Sequence, residues 1–233
     1  MPAQRRCLVT GANRGLGLGF VRHLLARGDA VIATCRHPGR ATALNALTDE
    51  HPGRLHVVPL DVGDPRSIDA LVHELPLVTD GLDLLVNNAG ILHAGERFGT
   101  VPAGHFDDSL RTNATGPFLV TQALAPHLAP GARVANISSS LGSTGELDAF
   151  RTPTYAVSKA AQNMVTALLA KALAAREVVV LALNPGWVRT DMGGGSAEHS
   201  IDEAIEALMH VIDTATPADN GRFLDWRGNA VPW

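Results

Sequence analysis

The sequence is poor in cysteine, in tyrosine and in long apolar runs. Its two cysteines, Cys7 and Cys35, are too few for a disulfide scaffold or a zinc ribbon, and each sits inside an apolar run with no partner pattern. That usage fits a reducing compartment, so a cytoplasmic location is expected. Aromatic residues make up 4% of the chain, and tyrosine occurs once, at Tyr155. No apolar stretch reaches the roughly 18 residues of a membrane span. The longest candidate, Ala167 to Leu183, is broken by Lys171, Arg176 and Glu177. The basic start, Met1 to Arg6, leads into an apolar run too short for the core of a signal peptide. Charge of one sign is also missing. The balance of 19 Lys and Arg against 23 Asp and Glu leaves −4, which is no platform for nucleic acid or an anionic membrane. The 10 histidines are scattered without metal-ligand spacing, and no metal is expected.

What the sequence does have is apolar material in a regular rhythm. Hydrophobic residues make up 45% and charged residues 18% of 233, enough for a substantial core. Short β-type runs fall at Cys7 to Thr10, Ala30 to Cys35, Leu55 to Leu60, Leu82 to Val86, Arg133 to Ile137, Val178 to Leu183 and Arg222 to Leu224. They are continuous rather than alternating, as strands covered on both faces should be. Stretches long enough for crossover helices separate them. Asp64-Pro65 is a helix start, an N-cap followed by proline at the first helical position. Ser200 to Glu203 reads as a capping box ahead of an amphipathic helix. The alternation predicts an α/β, doubly wound, Rossmann-type fold. About seven parallel strands carry helices on both faces in one domain, residues 1–233. Loops near 90–105, 140–154 and 186–200 follow predicted strands, where an open parallel sheet forms its ligand crevice.

The first of these loops, Thr10-Gly11-Ala12-Asn13-Arg14-Gly15-Leu16-Gly17, joins the first strand to the first helix. Gly11 permits a tight turn, and Gly15 and Gly17 let backbone approach a pyrophosphate at the positive end of the helix. Position after the first strand of an alternating chain makes this a dinucleotide site rather than a plain helix entry. An NAD site places a carboxylate about 20 residues further on, at the end of the second strand. Here Ala30 to Thr48 holds no Asp or Glu, Arg36 stands at that strand end and Arg14 lies in the glycine loop. A 2′-phosphate needs guanidinium partners, so NADP(H) is expected over NAD(H), unless both arginines are merely solvated.

Tyr155 and Lys159 lie four apart, on one face of a helix. A phenol with a pKa of about 10 is a poor acid–base group at neutral pH. An ammonium about 4 Å away attracts the phenolate by roughly 4 kcal/mol at an effective dielectric of about 20, which is worth about three pKa units. The spacing therefore predicts a phenol brought into working range, although such a pair alone is common on helix surfaces.

Taken with Asn87-Asn88-Ala89-Gly90 after the fourth strand, Asn136-Ile137-Ser138-Ser139 after the fifth and Asn184-Pro185-Gly186 after the sixth, the chain resembles the short-chain dehydrogenase/reductase family. The resemblance runs from Arg6 to the C-terminal residues with the motifs in order. The segments Asn184 to Gly194 and Gly221 to Trp233 look most like the branch of sniffer-type carbonyl reductases and bacterial C-factor. It implies Tyr155 as general acid/base, with Lys159 lowering its pKa and bonding the nicotinamide ribose. Ser139, rather than Ser138 or Ser140, would hold the substrate oxygen, and Asn113 would support a proton-relay water. For the cofactor it implies the glycine loop with Asn13 and Leu16, Asp61 on the adenine amino group beside Val62, and Asn88, Ala89 and Gly90 on the adenosine ribose. Pro185, Gly186, Val188 and Thr190 would lie along the nicotinamide, the last two on its carboxamide. The implied reaction is NADPH-dependent reduction of a small ketone or aldehyde, or alcohol oxidation in reverse. A non-enzymatic NADP-binding signalling protein of the C-factor type is the alternative. A homodimer or homotetramer is implied as well.

Leu92, Leu141, Leu147, Phe150, Trp187 and Met192 are expected to line a pocket for an apolar or aromatic substrate. Leu147 and Phe150 serve equally for a subunit contact, and Trp187 for plain core. The glycine triplet at Gly193 reads as a mobile lid. The stretch between Ser139 and Tyr155 is a few residues longer than the family's common spacing, beside the substrate site.

Overall fold

Seven apolar runs become seven parallel strands, because each of the first six is followed by a helix that carries the chain back across the sheet. The computed structural model describes residues 4–233; Met1, Pro2 and Ala3 of the basic start lie outside the described residues. The strands are β1 (Arg6–Val9), β2 (Ala30–Cys35), β3 (Leu55–Pro59), β4 (Leu82–Asn87), β5 (Leu128–Ile137), β6 (Val179–Asn184) and β7 (Phe223–Asp225). The helices are α1 (Gly15–Ala26), α2 (Thr42–Glu50), α3 (Pro65–Glu74), α4 (Ala103–Leu110), α5 (Gly116–Leu124), α6 (Pro153–Leu173) and α7 (Ile201–Thr214). Sheet order is β3-β2-β1-β4-β5-β6-β7, every pair parallel. The seven-stranded, doubly wound sheet expected from the alternation is what forms.

The continuous strand runs bury side chains on two faces. Cys7 and Val9 of β1 join α1, α2 and α7 in one core, around Phe20, Leu24, Leu44, Leu208 and Ile212. Leu8 joins α3, α5 and α6 in the other, around Ile68, Leu71, Val120, Leu124 and Leu173. Burial pushes the Cys7 thiol up to about 12, so this cysteine is packing rather than chemistry. Both helix starts read from sequence form as expected. The Asp64 side chain accepts from the Arg66 N–H, and Ser200 and Glu203 close a reciprocal capping box. Most strand ends fall within a residue of the expected runs, and one differs by more: β5 begins at Leu128, because Leu82 pairs with Leu128 and a register shift then seats Leu84 on Arg133.

The strand order reverses direction between β1 and β4. Connections from these two strands leave on opposite faces, so their carboxyl ends open a crevice between the glycine loop and residues 88–90. The long helix α6 runs beneath it. Among the described residues, no helix is long and apolar enough to cross a membrane.

Candidate active site

The glycine loop is built to receive an anion. Gly11 has φ +63°, and a Cβ there would stand 2.8 Å from the Cα of Ala89. At Gly17 a Cβ would stand 2.3 Å from the Gly11 carbonyl oxygen and 2.6 Å from Asn88 Nδ2. The loop therefore closes on backbone. Arg14 precedes α1 without a side-chain cap, and no acidic residue sits in the first turn. Uncapped N–H groups at a positive helix end suit a phosphate.

The Asn88 amide donates to the carbonyls of Thr10 (2.9 Å) and Gly11 (3.1 Å), bracing the glycine loop from behind, a role that sequence reasoning missed. The Thr10 hydroxyl accepts from the N–H groups of Asn88 and Ala89, locking β1 to the turn after β4. Asp61 is exposed just past β3 with one oxygen on the Gly63 N–H, and Val62 is buried beside it. Arg36 is exposed at the end of β2. Arg14, also exposed, makes a 3.2 Å ion pair with Asp191 across the mouth of the crevice. A pair this exposed is worth little and opens readily.

Tyr155, Lys159, Ser139 and Asn113 converge. Pro153 starts α6 and brings Tyr155 into its first turn, where the residue is 8% exposed and its phenol lies beside Ser139. Ser139 caps a short turn, Ser140–Gly142, accepting from the Leu141 N–H. Ser138 points elsewhere, donating to Asn163 Oδ1 at 2.6 Å. Lys159 lies one turn further along α6, its Nζ 2.7 Å from the Ile137 carbonyl, 2.8 Å from Gln162 Oε1 and 5.5 Å from the Tyr155 ring centre. Two of three ammonium donors are thus used.

The electrostatics correct one expectation. Burial pushes the Tyr155 phenol up to about 12, with the Ser139 hydrogen bond acting the other way. Burial likewise lowers Lys159 from 10.5 to about 7. Removal from water outweighs the attraction between the two, because the ammonium rests on Ile137 and Gln162 rather than on the phenol oxygen. The phenol stays protonated, and the lysine is the group poised near neutrality.

Asn113 sits in a single π-turn, Arg111–Thr115, between α4 and α5. Its amide accepts from the Ile91 N–H (2.8 Å) and donates to the Ile91 carbonyl (2.9 Å) and to Ser158 Oγ (2.9 Å). Ser158 in turn donates to the Tyr155 carbonyl. The side chain thus clamps the loop after β4 onto α6, and π-turns of this kind gather at functional sites. Sequence reasoning missed the polar chain behind the site. Asn87 donates to Asn136 and Thr121, Asn136 to Thr166, and Thr166 to the Gln162 carbonyl. The only sequence trace of this chain is that Gln162, Asn163 and Thr166 share helical spacing with Lys159.

The loop after β6 is more ordered than a free lid. Val188, buried, bridges to His199; Arg189 N–H donates to the His199 carbonyl, and Gly193 N–H to Thr190 Oγ1. Trp187 is 51% exposed with its indole N–H on the Gly193 carbonyl, so it is neither core nor loose. Thr190 lies against Gly15, Pro185 is buried, and Gly186 packs on His199 and Trp226. Of the glycine triplet, Gly193 is closely packed, since a Cβ there would stand 2.1 Å from the Val188 carbonyl oxygen, while Gly194, with φ +79°, and Gly195 have open space around them. Among the described residues a cavity of about 210 Å³ is lined by Ser140, Leu141, Ser143, Glu146, Leu147, Asp148 and Arg151. It adjoins Ser139 through Ser140 without including Ser139 or Tyr155, and of the side chains expected around a substrate it takes Leu141 and Leu147. Phe150 leans on Phe98 edge to face, and both are exposed. The long segment after Ser139 is pinned by the C-terminal residues: Ser143 Oγ donates to the Pro232 carbonyl, and Thr144 and Gly145 to that of Trp233.

Comparison with known proteins gives a consistent result. A family model described as short chain dehydrogenase matches residues 5–200. C-signal of Myxococcus xanthus is 37% identical over 157 residues, covering 66% of this chain and 95% of that protein. Among solved structures, the carbonyl reductase Sniffer of D. melanogaster has a TM-score of 0.95 and 31% identity, covering 99% of this chain and 100% of that one. An NADPH-bound carbonyl reductase from chicken fatty liver has a TM-score of 0.93 and 38% identity, covering 99% of each chain.

Proposed function

The chain belongs to the short chain dehydrogenase family, and from that premise we propose that it is an NADP-dependent reductase of a small ketone or aldehyde. The observation that carries the reading is the convergence of Tyr155, set beside Ser139, with Lys159 one helical turn further along α6 and with Asn113, at Gly90 after β4. NADP(H) is the preferred cofactor. Arg36, and Arg14 once released from Asp191, supply guanidinium groups where an NAD site would carry a carboxylate, and the similar chicken enzyme is NADPH-bound.

The uncapped start of α1 would hold the pyrophosphate, Arg36 the 2′-phosphate, Asp61 and Val62 the adenine, and Ala89 and Gly90 the adjoining ribose. Lys159 would give its third N–H to the nicotinamide ribose, and Pro185, Gly186, Val188 and Thr190 would flank the ring. The bound cofactor supplies a hydride to the carbonyl carbon and, once oxidised, a positive charge near the phenol. Tyr155 and Ser139 both donate to the carbonyl oxygen, fixing it and stabilising the negative charge that develops there. Tyr155 then yields its proton to the alkoxide. Burial keeps the phenol protonated at neutral pH, so the proton is there to give, and the product alcohol is a weaker acid still; the positive charges of Lys159 and of the oxidised cofactor would ease its release. In one catalytic domain, the loops 90–105, 140–154 and 186–200 would surround the substrate, with Leu141, Trp187 and Met192 as its apolar contacts. Exposed Val157, Met164 and Leu168 on α6 are a surface for self-association into a homodimer or homotetramer.

Consumption of NADPH followed at 340 nm with a panel of aldehydes, diketones and aryl ketones tests the reading directly. Turnover of at least one class is expected. Tight NADPH binding with no turnover of any would favour a C-signal-like signalling role instead. Two variants probe the cofactor site. Arg36→Ala is expected to lower kcat/KM for NADPH by about 10- to 100-fold, the worth of one or two charge-assisted bonds, with NADH little affected. An unchanged NADPH-to-NADH ratio would remove Arg36 from the site. Gly17→Ala forces backbone apart at the glycine loop, and overpacking of this kind costs about 1–3 kcal/mol. Its Tm should fall by roughly 3–10 °C, and NADPH binding measured by fluorescence titration should weaken.

A further inference from the structure

Helix α6 begins in an unusual way, one turn before its phenol. Thr152, at the N-cap position, has φ +37°, a left-handed backbone that a β-branched residue rarely adopts, and its side chain makes no cap. Its hydroxyl oxygen is buried without a partner. Strained backbone of this kind persists only where the surroundings hold it. The missing cap comes from another loop. Glu96, between β4 and α4, has a side chain only 1% exposed. One carboxylate oxygen accepts from Thr154 Oγ1 at 2.7 Å, and the other from the Thr154 N–H at 3.2 Å. A carboxylate at a helix N-terminus also meets the positive end of the helix dipole.

The carboxylate is itself held. His105 Nδ1 lies 3.1 Å from Glu96 Oε1, His93 stacks on His105 with ring centres 3.8 Å apart, and Ser109 donates to Thr154 Oγ1. Burial works against the charge on Glu96, and the Thr154 and His105 bonds more than offset it, keeping this acid below the ordinary range. No part of the proposed reaction uses Glu96.

We propose that Glu96 is a positioning residue for Tyr155, capping α6 from the loop after β4 and so fixing the turn that presents the phenol to Ser139. Thr154 is the residue before Tyr155, so any loss of the cap is felt first at the phenol. Asn113 ties Ile91 of the same loop to Ser158, on the next turn of α6. The loop is thereby fastened on both sides of Tyr155. This inference rests on the reading of Tyr155 as proton donor, but its test does not depend on turnover.

Tyr155 is the single tyrosine of the chain, so its chemical modification reports on it alone. Nitration by tetranitromethane near pH 8, followed by absorbance, should be slow in the parent protein and about tenfold faster in Glu96→Ala. Glu96→Gln keeps an oxygen for Thr154 Oγ1 and loses the charge, and it should react at an intermediate rate. With a substrate in hand, Glu96→Ala should lower kcat about tenfold or more and leave KM for NADPH unchanged, and Glu96→Gln should recover part of the loss. Should Glu96→Ala not fold, the Gln variant carries the test. A parent-like nitration rate with parent-like kcat, whatever happens to Tm, would make Glu96 a merely structural cap and overturn the proposal. Failure of the parent to reduce any carbonyl would overturn the proposed function, with the nitration comparison still readable.

Discussion

Tyr155→Phe is expected to lower kcat for carbonyl reduction by about a thousandfold, within the range of a lost general acid, while NADPH binds as before. The substitution removes one hydroxyl from a side chain 8% exposed and leaves the ring to pack as it does. Ser139 retains the Leu141 N–H bond that orients it. Lys159 keeps Ile137 and Gln162, because neither bond involves the phenol. The loss should therefore appear in kcat and not in the KM for NADPH. Stopped-flow transfer from NADPH together with a fluorescence binding titration separates the two. Near-parent turnover in this variant would remove Tyr155 from the chemistry.

The second large effect belongs to Lys159→Met, and it has two arms. Methionine fills similar space without the charge. The ammonium is the group proposed to hold the nicotinamide ribose, so kcat/KM should fall by two orders of magnitude or more, about 3 kcal/mol for one charged hydrogen bond. In the parent, the ammonium form is the competent one and its pKa lies near 7. The rate of reduction should therefore fall as pH rises through about 7, and this limb should vanish in the variant. The other arm is stability. Below about 7 both folded and unfolded chains carry the proton on Lys159. Between about 7 and the ordinary 10.5 the unfolded chain holds a proton that the folded one has released, so stability rises with pH across that window. From 10.0 to about 12 the sign reverses. There the unfolded chain gives up the Tyr155 proton first, and the folded phenol keeps it. Tm of the cofactor-free protein should climb by about 5–10 °C from pH 7 to pH 9.5. Lys159→Met should flatten that slope. A parent Tm independent of pH in this range would mean that Lys159 keeps an ordinary pKa.

Much of the molecule was legible because its information is local. Continuous apolar runs of four to six residues can only be strands covered on both faces, and the glycine loop is a short-range requirement of backbone meeting backbone. The start of α3 at Pro65 and the capping box at Ser200 follow from a few neighbouring residues. The four-residue spacing of Tyr155 and Lys159 puts both on one face of α6. The parts that escaped are those set by distant partners. That Asn88 braces the glycine loop emerges only when the turn after β4 folds back on Thr10 and Gly11. Gly193 reads as the start of a lid until its N–H meets Thr190 and its carbonyl meets the Trp187 indole. Glu96 carries no sequence signal at all, since its partner Thr154 lies 58 positions away.

The amino-acid order thus determined by itself the alternating sheet, its family and the identity of the chemical groups, because each depends on periodicity and short spacing. Tertiary structure alone decided the electrostatic state of those groups and which polar side chains hold them in place. The reason is physical. A pKa and a hydrogen bond are set by how much water is removed and by what fills its place, and at this site the filling comes from β4, β5, α4 and the C-terminal residues, each brought in from elsewhere in the chain.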